Sequence, residues 1–459
     1  MQPFSNHHCP STLLTNCAVR RVSVGNGASI YHDALLPALS SATYEILFVT
    51  CFWAPSISLT ELSSTLRALS SASAARSSDG GSKLRVRLCF SSRSHLQMLF
   101  HTSSPNGYIY PPSQWTSKLG LPSPDELRGL DLQVKSIFMR PFSVMHPKYI
   151  IIDRRRAFLP SCNLSWENWF EGCIKLDGPV VGKLVKFWRS SWGRNDLPTL
   201  PVDMPTTATD PRPITGGSSP ASVLHESSNN LPLHLPLSSG SDYSALLLPS
   251  PHHCNPQFRP FPLPAPTPPP TPLNTLLSHL FSTATSSVFI TTPNFTSPPV
   301  LPLLLSALER GVDVEIVTNR RMMLVEQLLT AGTVTEICLW RLVRAYQKLM
   351  RSRQMSAGRD GGSLEEGRGP LGALRIGYYR PLLTASREDG ATEPVKLHFK
   401  CTIADMEVVV LGSGNMDRAS WYTSQELGLA IYDRGFTETV SRSVQERLKG
   451  RVEGYFGHT

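Results

Sequence analysis

One spaced set of polar residues occurs twice in this chain, and the repeat limits the folds open to it. His146, Lys148, Asp153, Ser161 and Asn163 recur, type for type, as His398, Lys400, Asp405, Ser413 and Asn415, with every offset from the histidine preserved. At ordinary residue frequencies one accidental copy has odds on the order of one in ten thousand. Two copies therefore mark an internal duplication. Met145-His146-Pro147-Lys148-Tyr149-Ile150-Ile151-Ile152-Asp153 and Leu397-His398-Phe399-Lys400-Cys401-Thr402-Ile403-Ala404-Asp405 are dominated by β-branched and aromatic residues. Each ends at a polar turn, Arg154-Arg155 or Met406-Glu407, so both predict strands. Residues two apart on a strand share a face, which projects the His and Lys of each copy together, about 7 Å apart at Cα. A second short strand (Ala157 to Leu159; Val408 to Leu411) then delivers Ser and Asn, again two apart.

Each copy gathers an imidazole, an ammonium, a hydroxyl and a carboxamide on one patch. Lysine supplies a point charge for a phosphate oxygen, while Ser161, Asn163, Ser413 and Asn415 add directional donors for substrate. Two patches facing each other set two histidines on opposite sides of one phosphorus. One neutral imidazole attacks, the opposing imidazolium protonates the leaving oxygen, and water or an alcohol then releases the phosphohistidine. The donors and two lysines stabilise the added charge, so the chemistry calls for no metal and no cofactor.

The two motifs, HPKYIIID with PSCN and HFKCTIAD with GSGN, resemble the duplicated HxKxxxxD signature of the phospholipase D superfamily, in its phospholipase D-like and cardiolipin-synthase-like branch. The resemblance covers most of the chain apart from its N-terminus and centre. It implies a phosphodiesterase or phosphatidyltransferase, with His146 as nucleophile, His398 as acid/base, and Lys148, Asp153, Lys400 and Asp405 completing the catalytic motifs. At a strand end before a polar turn, however, Asp153 and Asp405 read as structural supports. The resemblance also implies a glutamate after each motif that orients the opposing histidine, and Glu171 and Glu426 are the candidates. One departure is Pro160, where the family has glycine, as in Gly412; proline removes a backbone donor beside the phosphate.

The duplication reaches beyond the motifs. Trp166 and Trp421 each precede their glutamate by five residues, and each glutamate is followed by a predicted strand and helix (about 180–192; about 438–455). Upstream, 35–50 parallels 276–291, and each leads to a further helix and strand. The fold class expected is α/β: two duplicated α-β-α sandwich domains of phospholipase D type, with the active site at their interface. The expected domains are 26–200 and 273–459, separated by a Pro-rich linker at 201–272 and preceded by a flexible tail at 1–25. The end of the linker, 245–272, is too apolar for a solvated spacer and reads as extended along the second domain, with His253 or Arg259 considered for the substrate mouth. His252-His253-Cys254 lacks metal-ligand spacing. An insertion at 320–372 holds a predicted helix, 336–353, read as packed with a solvated basic face in preference to lying on a membrane. After it comes a Gly-rich lid candidate at 356–369.

Nine cysteines without paired spacing suggest reduced thiols and an intracellular protein, cytoplasmic or peripheral on a membrane. A mitochondrial presequence is the weaker reading, because only Arg20 and Arg21 are basic near the start. A net charge of +9 suits an anionic partner. The leading expectation is an enzyme on glycerophospholipids with water or an alcohol as acceptor. A nucleic-acid phosphodiesterase is second, since no run of aromatics interleaved with Lys/Arg is evident. A dead lipid-binding scaffold ranks last, because both motifs are intact.

Overall fold

The structure, a computed structural model, describes residues 11–78, 80–102, 104, 106–140, 143–165, 168–193, 233–234, 242–251, 267–359, 369–382 and 393–457. Two parallel three-strand units anchor the halves. Glu45–Phe52, Leu84–Ser92 and Leu130–Ser136 form the first, and Ser287–Thr291, Asp313–Thr318 and Leu374–Tyr379 the second. Parallel strands need crossovers, and the helices Ile57–Ser78 and Val300–Glu309 supply them. Tyr149–Ile152 and Cys401–Ala404 then join antiparallel to Glu45–Phe52 and Ser287–Thr291. Each motif strand returns through Arg156–Pro160 or Val408–Gly412 to a glutamate-bearing strand, Trp169–Asp177 or Glu426–Tyr432.

The two units meet in the middle of one sheet. Leu14–Asn26 pairs with Trp169–Asp177, Asp242–Ser250 pairs with Glu426–Tyr432, and these central strands pair with each other. The reading of 1–25 as a flexible tail is therefore corrected from Leu14 onward. Cys17, Val19, Val22 and Val24 are buried in the core that both halves share, which is what holds this segment in the sheet. Asp242–Ser250 is likewise a strand within the stretch read as linker, and Ala245 to Leu248 are buried. His252 to Cys254, Arg259, Trp166 and most of the lid candidate at 356–369 lie outside the described residues.

Side chains alternate strictly between two faces, as a strand with both sides covered requires. Leu47 and Val49 point into one core while Ile46 and Phe48 point into another; Phe289 and Ile290 divide in the same way. Helices Pro179–Ser191 and Arg434–Leu448 cover the shared face, and separate helices cover the opposite face of each half, giving α-β-α layers. The last helix ends at Leu448 rather than continuing to 455. Gly450 at φ +75° turns the chain there into the strand Val452–Phe456. Thr335–Arg359 is the insertion helix, and Leu339, Leu342, Val343 and Tyr346 are buried beneath it. Seven cysteines among the described residues are buried, and none of these seven is joined in a disulfide. Among the described residues, no helix is long and apolar enough to cross a membrane.

Candidate functional site

The register of the motif strands fixes where the histidines sit. Tyr149 pairs with Val49 and Cys401 with Thr291, so His146 and His398, three residues earlier, stand beyond the C-terminal ends of the parallel strands. There each crosses to the other half. The His146 amide donates to the Gln425 carbonyl at 3.1 Å, and the His398 amide to the Phe170 carbonyl at 2.9 Å. Each partner directly precedes a candidate glutamate. His146 Nδ1 lies 2.9 Å from Glu426 Oε2, and His398 Nδ1 lies 2.7 Å from Glu171 Oε1. Both glutamates thus hold the histidine of the opposite half, and both are fully buried. A carboxylate on Nδ1 selects the tautomer with hydrogen there and leaves the Nε2 lone pair for chemistry.

The strand before each histidine is pinned as well. Ser91 Oγ accepts the Met145 amide at 2.9 Å, and Asn319 exchanges bonds of 2.8 and 2.7 Å with the Leu397 backbone. Both come from corresponding strand ends, and neither was visible in the motif. The lysines are buried beside the histidines, at 3 % exposure each. They differ in use: Lys148 Nζ donates to the His146 carbonyl at 2.9 Å, whereas Lys400 Nζ lies 2.9 Å from His398 Nε2.

Ser161 and Ser413 do not stand open to a ligand. Each hydroxyl donates to its glutamate, Glu171 or Glu426, and accepts the following amide, Gly172 at 2.9 Å or Leu427 at 3.0 Å. This corrects their reading as phosphate donors, because the buried carboxylates claim the hydroxyls first. Asn163 accepts the Phe52 amide at 3.1 Å through Oδ1, which leaves its amide nitrogen as a donor. Asn415 donates to Asp417 at 2.8 Å. Sequence reading missed Asp417, which caps the helix Arg418–Tyr422, and Ser420, which donates to Glu426 at 2.6 Å. The repeated Ser-Trp pair, Ser165-Trp166 and Ser420-Trp421, was a signal that could have found Ser420. Trp421 itself is a core residue at 1 % exposure. Trp169 sets its ring 4.9 Å from the His398 ring. Gly412, at φ +153°, has no room for a side chain, since a Cβ would stand 2.2 Å from the Leu427 carbonyl; Pro160 takes the corresponding place opposite Cys173.

Electrostatics favour neutral imidazoles at both positions. Burial pushes His398 down to about 3, against the pull of Glu171, and neighbouring Lys400 adds to the fall. Burial lowers His146 too, opposed by Glu426. Lys400 falls to about 7, through burial and the nearby Lys148 charge. Burial alone would raise Glu171, but His398, Lys400 and Ser161 outweigh it and hold the carboxyl below its usual range. Burial raises Asp417. Lys148 adds to the lowering of His398 and Lys400 to that of His146, in keeping with the hydrogen bonds that cross between the halves.

Asp153 and Asp405 sit at the far ends of their strands, roughly 20 Å from the histidines at about 3.3 Å per residue. Asp153 accepts the amides of Thr43, Tyr44 and Glu45 at 3.0, 2.7 and 2.8 Å, and Asp405 those of Thr285, Ser286 and Ser287 at 3.0, 2.8 and 3.0 Å. They tie the start of the first parallel strand to the end of the motif strand. Asp153→Ala should therefore lower unfolding free energy by about 2–4 kcal/mol, read by urea denaturation. Below the transition, its turnover should fall far less than that of His146→Ala.

A histidine held by a buried carboxylate, with a buried lysine beside it, is thus duplicated across one sheet. Residues 277–448 match the family model described as cardiolipin synthase, PLD-like domain. The fold is similar to that of phosphatidylserine synthase from Haemophilus influenzae Rd KW20, at 14 % identity and a TM-score of 0.52, over 96 % of this chain and 89 % of that one. Nuc from Salmonella typhimurium, a phospholipase D family member, is also matched, at 19 % identity and a TM-score of 0.27, over 40 % of this chain and 90 % of that one. Among curated proteins no match is found.

Proposed function

We propose that the chain is a phosphodiesterase or phosphatidyltransferase acting on glycerophospholipids through a phosphohistidine. The observation that carries this is the crossed pairing: each histidine has its Nδ1 on a glutamate of the other half. His146 is the better nucleophile. Among the described residues its Nε2 has no hydrogen-bond partner, whereas Nε2 of His398 faces Lys400. The His146 lone pair attacks phosphorus, forming an N–P bond as the P–O bond to the leaving group breaks. His398 gives a proton to the departing oxygen. Neutral His398 then takes the proton of water or an alcohol, which attacks phosphorus and returns the N–P electron pair to His146. His398 must hold that first proton against the lowering effect of burial, and the charge of an incoming phosphate favours it. Lys148, Lys400 and the Asn163 amide bear the added charge.

The lipid assignment draws on the family match and on the phosphatidylserine synthase likeness in fold. Its test is mass spectrometry of products from mixed phospholipid vesicles with ethanol, beside His146→Ala. Phosphatidylethanol made only by the intact protein, and unaffected by a chelator, supports the reading. No lipid product, with cleavage of nucleic-acid diesters instead, overturns it.

Lys400 also sets the pH behaviour. With its value lowered to about 7, the ammonium is lost as pH rises through neutrality, so kcat/KM should decline on that side. Arginine stays charged. Lys400→Arg should lower the maximum but move the alkaline limb upward, read from the kcat/KM profile; an unmoved limb assigns it to another group of the coupled set.

A further inference from the structure

The sequence Leu324-Val325-Glu326-Gln327-Leu328-Leu329 places its apolar residues on one helical face, the face a helix ordinarily turns inward. Here the helix Leu324–Ala331 is turned the other way. Val325, Leu328 and Leu329 are 71, 53 and 53 % exposed, while polar Gln327 is buried at 3 %. Hydrogen bonds hold it so: Gln327 accepts the Thr335 amide at 2.8 Å and hydroxyl at 2.9 Å and donates to Asn294 at 3.2 Å, and Arg418 donates to the Thr330 carbonyl at 3.1 Å. The next helix adds exposed Ile337 and Trp340, with the Arg344 guanidinium 5.2 Å from the indole.

The first half has a counterpart. Leu84–Ser92 corresponds to Asp313–Thr318, and the short helix that follows, His95–Leu99, exposes Leu96 and Leu99 and leads to Phe100, 83 % exposed. Both projections leave the C-terminal ends of the parallel strands, the rim on which His146 and His398 stand. Arg320, Arg321, Arg341 and Arg344 are exposed around the larger one. Solvent-facing apolar patches of this kind mark contact surfaces.

We infer that this rim docks on an anionic phospholipid surface, with Val325, Leu328, Leu329 and Trp340 on one side of the site and Leu96, Leu99 and Phe100 on the other entering the interface. The inference deepens the proposed lipid reaction and rests on it. Two apolar projections with arginines beside one of them complement an anionic bilayer, which also presents phosphodiesters to the site between them. A second protein copy seated on both would cover that site.

The test is the variant Val325→Glu/Leu328→Glu/Leu329→Glu in the full chain, with an unchanged melting curve as the folding control, since all three side chains are exposed. Flotation with phosphatidylglycerol/phosphatidylcholine vesicles should show at least ~30-fold weaker binding. Turnover of vesicle lipid should fall in parallel, while turnover of monomeric dibutyroylphosphatidylcholine stays within about threefold. Equal vesicle binding by variant and parent overturns the docking surface. So does sedimentation in which the substitutions dissolve a dimer and leave vesicle binding intact. If the parent binds vesicles through these residues but turns over no lipid of either kind, the docking surface stands and the lipid reaction falls.

Discussion

Replacing His146 with alanine should lower turnover of any active substrate at least ~10³-fold, about 4 kcal/mol of barrier. The reason is the completeness of its setting. Its amide is tied to Gln425, its Nδ1 to Glu426, and its side chain keeps 12 % exposure, which leaves Nε2 reachable by a substrate. No neighbouring nucleophile replaces it, because Cys51, buried among the same charges, is pushed up to about 11 by desolvation and stays a thiol. His398→Ala should cost as much for a poor leaving group and markedly less for one that departs without a proton, such as p-nitrophenolate. Steady-state rates with both leaving groups check this. Near-normal turnover by His146→Ala would end the two-histidine mechanism.

The second large effect tests the crossing of the halves. Glu171→Gln and Glu426→Gln should each lower kcat by about 10²–10³-fold, because an amide no longer fixes the tautomer of the histidine it faces. The double variants separate a true pairing from general damage. Glu171→Gln should add little to His398→Ala, since that glutamate has then lost its purpose, yet should add substantially to His146→Ala. Glu426→Gln should show the reverse order. Equal additivity in all four combinations would mean that the glutamates serve the fold rather than the histidines. The serines bear on the same point: Ser161→Ala and Ser413→Ala free a buried carboxylate and should resemble weak versions of the glutamate variants.

The motif residues were legible because their spacing is tied to strand geometry. A period of two places His and Lys on one face, and the polar turn after Asp153 or Asp405 closes the strand. The α/β alternation was readable for the same reason, from the apolar runs around Phe48 and Phe289. What was not legible depends on pairing between distant segments. Leu14–Asn26 alternates only loosely and lies in a stretch of Ser, Thr and Asn; its place in the sheet comes from partners more than 140 residues away. The same holds for Asp242–Ser250, in a proline-rich setting that masks a strand signal. Ser161 and Ser413 carried the correct residue type for phosphate binding, yet nothing in the local sequence says that a buried glutamate takes the hydroxyl. Helix 324–331 shows an amphipathic pattern without saying which face is turned outward, and Gln327 decides that through bonds to Asn294 and Thr335.

The central claim, a covalent intermediate on His146, is tested most directly by trapping it. His398→Ala, mixed rapidly with a lipid bearing a good leaving group and quenched in alkali, is digested and its peptides are weighed. A phosphatidyl adduct should appear on the peptide containing His146, accumulating because the group that activates water is missing, and should be absent from His146→Ala. An adduct on the peptide containing His398 in the intact protein, or full turnover with no adduct on either histidine, would contradict it.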